Sequence, residues 1–203
     1  MKQKKVCLIT QRPIQAIISM YELKKINFEF EYIIFFNTTN KKVHKEDLNG
    51  LSALKFQFTL SNIPLLILKK FNYKKILEFK KKFKSKLAIS LVTDYIFEKK
   101  IFDEYSGGIY GFHLGPFTFP GLSSNYNAFT QKNKFAEINF FKIIEKVDSG
   151  KPIFNKKIKI SKKSNIKMIN EFFFYNYKFF FIKKFIKKYL KLKKMKKYLK
   201  KIQ

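Results

Sequence analysis

Arginine is nearly missing from this chain. Of its 44 basic residues only Arg12 is not a lysine, against 14 acidic residues and a formal charge of +30. Nucleic-acid and phosphate sites lean on Arg for bidentate contacts, so a nucleic-acid partner is not expected from charge alone. The abundance of Lys, Phe, Ile and Asn fits drift toward A/T-rich codons as well as it fits a selected basic surface. One cysteine, Cys7, excludes a disulfide framework and a Cys-based zinc site. Two histidines, His44 and His113, are too few for a histidine cluster, and no metal site is expected. No window offers the apolar run of about 18 residues that a membrane span needs. The start MKQKKVCLIT is basic, but TQRP cuts its apolar stretch short, which is not a signal-peptide pattern. A reduced, cytoplasmic setting is the expectation.

What is present is enough for a core. Hydrophobic residues make up 46% of 203 residues, which excludes wholesale disorder and suits one domain with an appendage. The first half alternates strand-like and helix-like segments, the pattern of a mostly parallel sheet with helices on its faces. Residues 6–10 (VCLIT) read as a buried strand. Pro13 opens a helix over 14–24 with Ile14, Ile17, Ile18 and Tyr21 on one face. Residues 28–37 read as a second strand, 37–50 as a loop and 54–60 as a third strand. Residues 72–84 form a lysine-rich amphipathic helix with Ile76, Phe79 and Phe83 inward, and LAISLV (87–92) is a further buried strand.

Beyond residue 106, Gly and Pro mark loops around a short strand over 109–113. A helix is expected over 123–132, then strands over 138–144 and 152–160 joined by a turn containing Asp148. The fold expected is α/β, a Rossmann-like three-layer domain with a mostly parallel central sheet over 1–160. A basic, aromatic-rich helical C-terminal extension follows over 161–203. From residue 166 onward Glu171 is the sole acidic residue. Phe181, Phe185, Tyr189, Leu192 and Leu199 share a helical stripe, as do Ile182, Ile186 and Leu190. That stripe suits burial against the sheet or a second subunit of a homo-oligomer; the alternative is peripheral contact with an anionic membrane surface.

Two residues stand out chemically. His113 follows a strand directly and precedes a Gly/Pro loop, the carboxyl-end position where open α/β sheets carry their sites. Asp148 sits in the turn VDSG. The text around them, LAISLVTDYIF…GGIYGFHLGPFTFPGLSSNYNAF…INFFKIIEKVDSGKPIF, resembles the folate-dependent formyltransferases. Their pattern is an apolar strand, then Gly-x-Ile-Asn-x-His-Pro-Ser-Leu-Leu-Pro, Pro-Gly-Leu and Asp-x-Gly, here in the same order with one residue fewer after His113. The likeness covers roughly residues 87–160.

That resemblance implies formyl transfer from 10-formyltetrahydrofolate to a small-molecule primary amine. It implies His113 and Asp148 as catalytic residues, and Tyr95, Ile96, Phe97 and Val147 as positions that hold the folate. One departure is sharp: the family's Asn two residues before the histidine is Gly111 here, which removes a side-chain donor to the developing oxyanion. Tyr110 and Asn125 are the candidates to replace it. The place of the glycine-rich phosphate loop of glycinamide ribonucleotide enzymes holds TQRPIQ, and no counterpart of the β-barrel of methionyl-tRNA enzymes is expected. By elimination the expected acceptor is an amino sugar or a similar amine.

Overall fold

The computed structural model describes residues 5–37, 46–91, 93, 96–121, 124–161 and 164–199, the side chains of 46–49 and 190–199 excepted. Its centre is a seven-stranded sheet ordered β3-β2-β1-β4-β5-β6-β7. The strands are β1 (Lys5–Thr10), β2 (Glu29–Phe36), β3 (Leu65–Leu68), β4 (Leu87–Leu91), β5 (Gly108–His113), β6 (Phe135–Lys142) and β7 (Pro152–Lys159). The first five pair in parallel, and β6 and β7 add antiparallel to β5. This is the mostly parallel, three-layer α/β sheet that the alternating pattern predicts.

Because side chains alternate across a strand, two separate cores form. Val6 and Leu8 of β1 join one with α1 (Pro13–Lys24), α2 (Glu46–Leu60) and α7 (Lys178–Leu199); Cys7 and Ile9 join the other with α3 (Tyr73–Lys80) and α4 (Lys99–Glu104). Burial in that second core pushes the Cys7 thiol up to about 12, so it is a packing group and not a reactive thiol. Local signals begin the helices where expected. Pro13 stands at the first turn of α1, and Asn72 caps α3 by accepting from the Lys75 N–H at 3.0 Å.

Three local expectations are corrected. Residues 54–60 are not a strand but the end of α2, and the predicted loop over 37–50 gives way to that helix from residue 46. LKFQFTL alternates apolar and polar residues like a strand, yet Leu54 and Phe58, four apart, are the ones buried, while Phe56 and Leu60 face solvent. The third strand is the short edge run LLIL instead. The face of α1 is also rotated: Ala16, Ser19, Met20 and Leu23 are buried, whereas Ile14 and Tyr21 are about half exposed. Ser19 can face inward because its hydroxyl returns to the Gln15 carbonyl at 2.6 Å.

The C-terminal segment packs on the sheet. After β7 come α6 (Ile166–Phe172), a π-helical turn over Phe173–Tyr177, and α7. Phe173, Phe179, Phe181, Ile182, Phe185 and Ile186 are buried in the same core as β1, β4 and β6. The side chains of Leu190, Leu192 and Leu199 lie outside the described residues. Among the described residues no helix is long and apolar enough to cross a membrane.

Candidate active site

Strand β5 carries two chemistries on two faces. Tyr110 and Phe112 point toward α7, while Ile109, Gly111 and His113 point toward the connection between β6 and β7. That connection, residues 143–151, turns back over β5. It is anchored by the Ile143 N–H donating to the Ile109 carbonyl at 2.8 Å. Ile143 then lies over Gly111, and Asp148 reaches the strand's carboxyl end, where its Oδ2 stands 3.2 Å from His113 Nδ1. Residues 35 apart in sequence thus meet as the resemblance implies.

Asp148 adopts φ of +45°, in the left-handed region that Asp tolerates better than most residues. Its Oδ2 also accepts the Gly121 N–H at 2.7 Å, with Gly121 itself at φ +89°. Burial pushes the Asp148 carboxyl up. The hydrogen bond from His113, the Gly121 N–H and the imidazole's charge outweigh it, and the net result lies below the ordinary carboxylate value. An ionised Asp148 is therefore the resting form near neutral pH.

The His113 ring is buried, 4% exposed. Its inner nitrogen, Nε2, lies 3.0 Å from Ser124 Oγ and 3.3 Å from the Pro116 carbonyl. Phe117 stacks on the ring at 5.5 Å between centroids and meets Phe141 edge-on. Asn139, opposite His113 on β6, donates to the Gly115 carbonyl at 2.8 Å and so ties down the loop after the histidine. Ser124, Phe117, Asn139 and the Gly121 N–H were not singled out by the sequence pattern. The one signal for Ser124 was its place at the start of the helix expected over 123–132, realised as α5 (Ser124–Thr130).

The other predicted positions divide. Ile96 and Val147 are exposed, the latter one residue before Asp148, whereas Phe97 is buried against the core around Ile101 and Tyr105. Tyr95 and His44 lie outside the described residues. Neither candidate for the missing oxyanion donor is available. Tyr110 points to the opposite face and packs on Phe185 at 4.4 Å. Asn125 is fully buried; its Nδ2 donates to the Glu137 carbonyl and to Asn170 Oδ1, and its Oδ1 accepts the Glu137 N–H, each at 2.8 Å. The place a side chain at 111 would take is filled as well, because a Cβ there would lie 2.7 Å from Ile143 Cδ1. Among the described residues no group of His, Cys, Asp and Glu could hold a metal ion.

No protein-family model matches the sequence, and no curated protein does either. Solved structures match the fold. Phosphoribosylglycinamide formyltransferase from Bacillus halodurans superposes with a TM-score of 0.66 at 14% identity, over 83% of this chain and 86% of that one. The same enzyme from Coxiella burnetii gives 0.64 at 16% identity, over 84% and 79%. A formyltetrahydrofolate deformylase from Pseudomonas syringae pv. tomato gives 0.64 at 14%, over 84% of this chain and 56% of its own. The chain therefore has the three-layer α/β fold of folate-dependent formyltransferases, the same group its histidine and aspartate motifs resemble.

Proposed function

We propose that the protein transfers a formyl group from 10-formyltetrahydrofolate to a primary amine. The observation that carries this reading is the His113–Asp148 pair, 3.2 Å apart at the carboxyl end of β5, in a fold shared with phosphoribosylglycinamide formyltransferases. His113 and Asp148 act as the catalytic pair, and Ile96, Phe97 and Val147, with Tyr95, mark the folate side. In the reaction the amine lone pair attacks the formyl carbon and the carbonyl oxygen becomes an oxyanion. His113 presents its Nδ1–H edge, shared with the ionised Asp148 carboxylate, to that oxygen. Asp148, directly or through a water, takes the proton that the amine loses. Collapse breaks the bond from the formyl carbon to the folate nitrogen, which accepts a proton as it leaves.

The acceptor is the finer question. The phosphoribosylglycinamide formyltransferases among the structures of similar fold favour glycinamide ribonucleotide as acceptor; the amino sugar reached by elimination has no support from them. The test is an assay of purified protein with 10-formyltetrahydrofolate and a panel containing glycinamide ribonucleotide and nucleotide-linked amino sugars, read as folate release. Release that requires an amine and disappears in His113→Asn supports transfer. Release without any amine would replace transfer by hydrolysis, and no release with any acceptor would overturn the enzymatic reading.

A second reading has its own observation. Gly111 offers no donor, and Ile143 occupies the space beside it. Loss of one oxyanion donor costs about 10²–10³ in rate, so a weakened enzyme or a folate-binding relative fits that site. Calorimetric binding of the folate without turnover is the result that favours it.

A further inference from the structure

The inner side of His113 is as fully built as the outer. Asp148, His113 and Ser124 form a continuous chain, with Nδ1 3.2 Å from the carboxylate and Nε2 3.0 Å from the hydroxyl. Carboxylate, imidazole and hydroxyl in this order are the arrangement of an activated serine nucleophile. Burial rules that role out, because Ser124 has no exposed surface and no substrate carbon can reach its Oγ. The hydroxyl also lies 3.1 Å from the Pro116 carbonyl, so Nε2, Oγ and that carbonyl close a triangle. The carbonyl already accepts the Phe119 N–H at 3.0 Å and is satisfied without the serine. The triangle depends on a glycine: a Cβ on Gly115, which has φ of +148°, would lie 1.9 Å from Ser124 Oγ.

We infer that Ser124 is a positioning residue for His113, a hydroxyl that turns between two partners as the ring gains and loses its second proton. This rests on the formyl-transfer reading for its role in catalysis, but its geometry stands by itself. With Nδ1–H committed to the Asp148 carboxylate, the neutral ring presents a bare Nε2, which needs a donor; Ser124 O–H supplies it. When Nε2 is protonated it becomes the donor, and the hydroxyl rotates to the Pro116 carbonyl. A hydroxyl both donates and accepts, so the buried ring can change charge while every polar atom stays paired. The Nδ1–H edge toward the substrate side is thereby kept in both states.

The consequence is specific. Without the hydroxyl, the nearest inner group is an acceptor only, so Nε2 must carry a proton to be satisfied. The ring then either stays doubly protonated or adopts the other tautomer and turns a bare Nδ1 toward Asp148. Both place a proton on Nε2. The test is 15N spectroscopy of histidine-labelled protein at alkaline pH, with His113→Asn to assign the signals of the two histidines. Wild type should show a bare Nε2 and a protonated Nδ1. Ser124→Ala should show a protonated Nε2, and Ser124→Thr should restore the wild-type pattern. In turnover, Ser124→Ala should lower kcat about tenfold or more with KM for the folate little changed. A protonated Nε2 already in wild type, or a bare one in folded Ser124→Ala, overturns the proposal. The wild-type spectrum decides even if a variant does not fold. Ring signals as expected in a protein without formyl-transfer activity would sink the enzymatic reading and leave the serine's role standing.

Discussion

The two faces of β5 divide labour within six residues. On one face Tyr110 and Phe112 sit among Phe140, Phe154, Phe181 and Phe185, rings on rings, with α7 as their cover. On the other, Gly111 and His113 face a loop that brings Ile143, Asp148 and the neighbourhood of Ser124. The aromatic face holds the fold together and has no chemistry to offer. The histidine face spends its contacts on orienting one ring. Substitutions on the first should change stability and leave the turnover of folded molecules alone; on the second the reverse holds.

The largest effect expected is on the aromatic face. Removing everything from residue 167 exposes Phe173, Phe179, Phe181, Ile182, Phe185 and Ile186, all buried in the main core. Each such side chain contributes roughly 1.5–3 kcal/mol, and their sum is comparable to a whole domain's stability of about 5–15 kcal/mol. The truncated chain should fail to fold cooperatively, read by circular dichroism on heating. Phe185→Ala is the graded version, costing about 3–5 kcal/mol by urea unfolding. A truncated protein that melts like the full chain would show that α7 is dispensable and reopen a membrane role for it.

On the histidine face, Asp148→Asn should leave the melting curve nearly unchanged and lower kcat by about 10²–10⁴, the usual worth of positioned acid–base groups. The amide keeps the shape but cannot hold Nδ1–H in the same way or take the amine's proton. A variant that loses stability in step with activity would erase the contrast between the faces.

Gly111→Asn sharpens it. Restoring a donor is worth about 10²–10³ in rate if the side chain can reach the oxyanion. Ile143 Cδ1 stands in its way, but this is the far end of a flexible side chain. The double change Gly111→Asn with Ile143→Ala should therefore gain more than the two singles predict together, since the pair competes for one space. Additive gains, measured in the acceptor assay, would mean that the Ile143 side chain swings aside unaided; absent gains would mean that the site works without that donor or not at all.

How much of this was legible follows from range. The His113–Asp148 pair was readable because each sits in a short motif of fixed order, and strand, turn and glycine signals are local. The sheet's parallel half was readable from alternation of elements. Residues 54–60 misled because LKFQFTL has period two by accident of Phe56 and Leu60, which face solvent; only the tertiary partners of Leu54 and Phe58 reveal the helical period. Ser124 was illegible for a related reason. A serine at a helix start is usually a cap, and its meaning here comes from a glycine nine residues back and a ring eleven residues back. Asn125 is a candidate donor by residue type alone and is fully engaged in space.

The smallest effect expected comes from a polar intrusion into the aromatic face. Lys178 is 1% exposed at the start of α7, its Nζ 3.0 Å from Gln15 Oε1 and 3.9 Å from the centre of the Phe174 ring, with Phe112 beyond. Burial, and secondarily the charge of Arg12, pull its pKa well below the ordinary lysine value of 10.5. Folding therefore releases a proton. Between the folded and unfolded values the unfolded chain binds more protons, so stability rises with pH across that window and levels off above about 10.5. Lys178→Met keeps the length, removes the buried amine and leaves Gln15, which is only half-buried, free to turn to water. It should stabilise the protein at neutral pH by about 1–3 kcal/mol and flatten the rise, with kcat unchanged. Urea unfolding of both proteins at neutral and mildly alkaline pH measures this. Two parallel stability curves would mean that Lys178 is charged inside the fold, held there by Phe174 and Phe112.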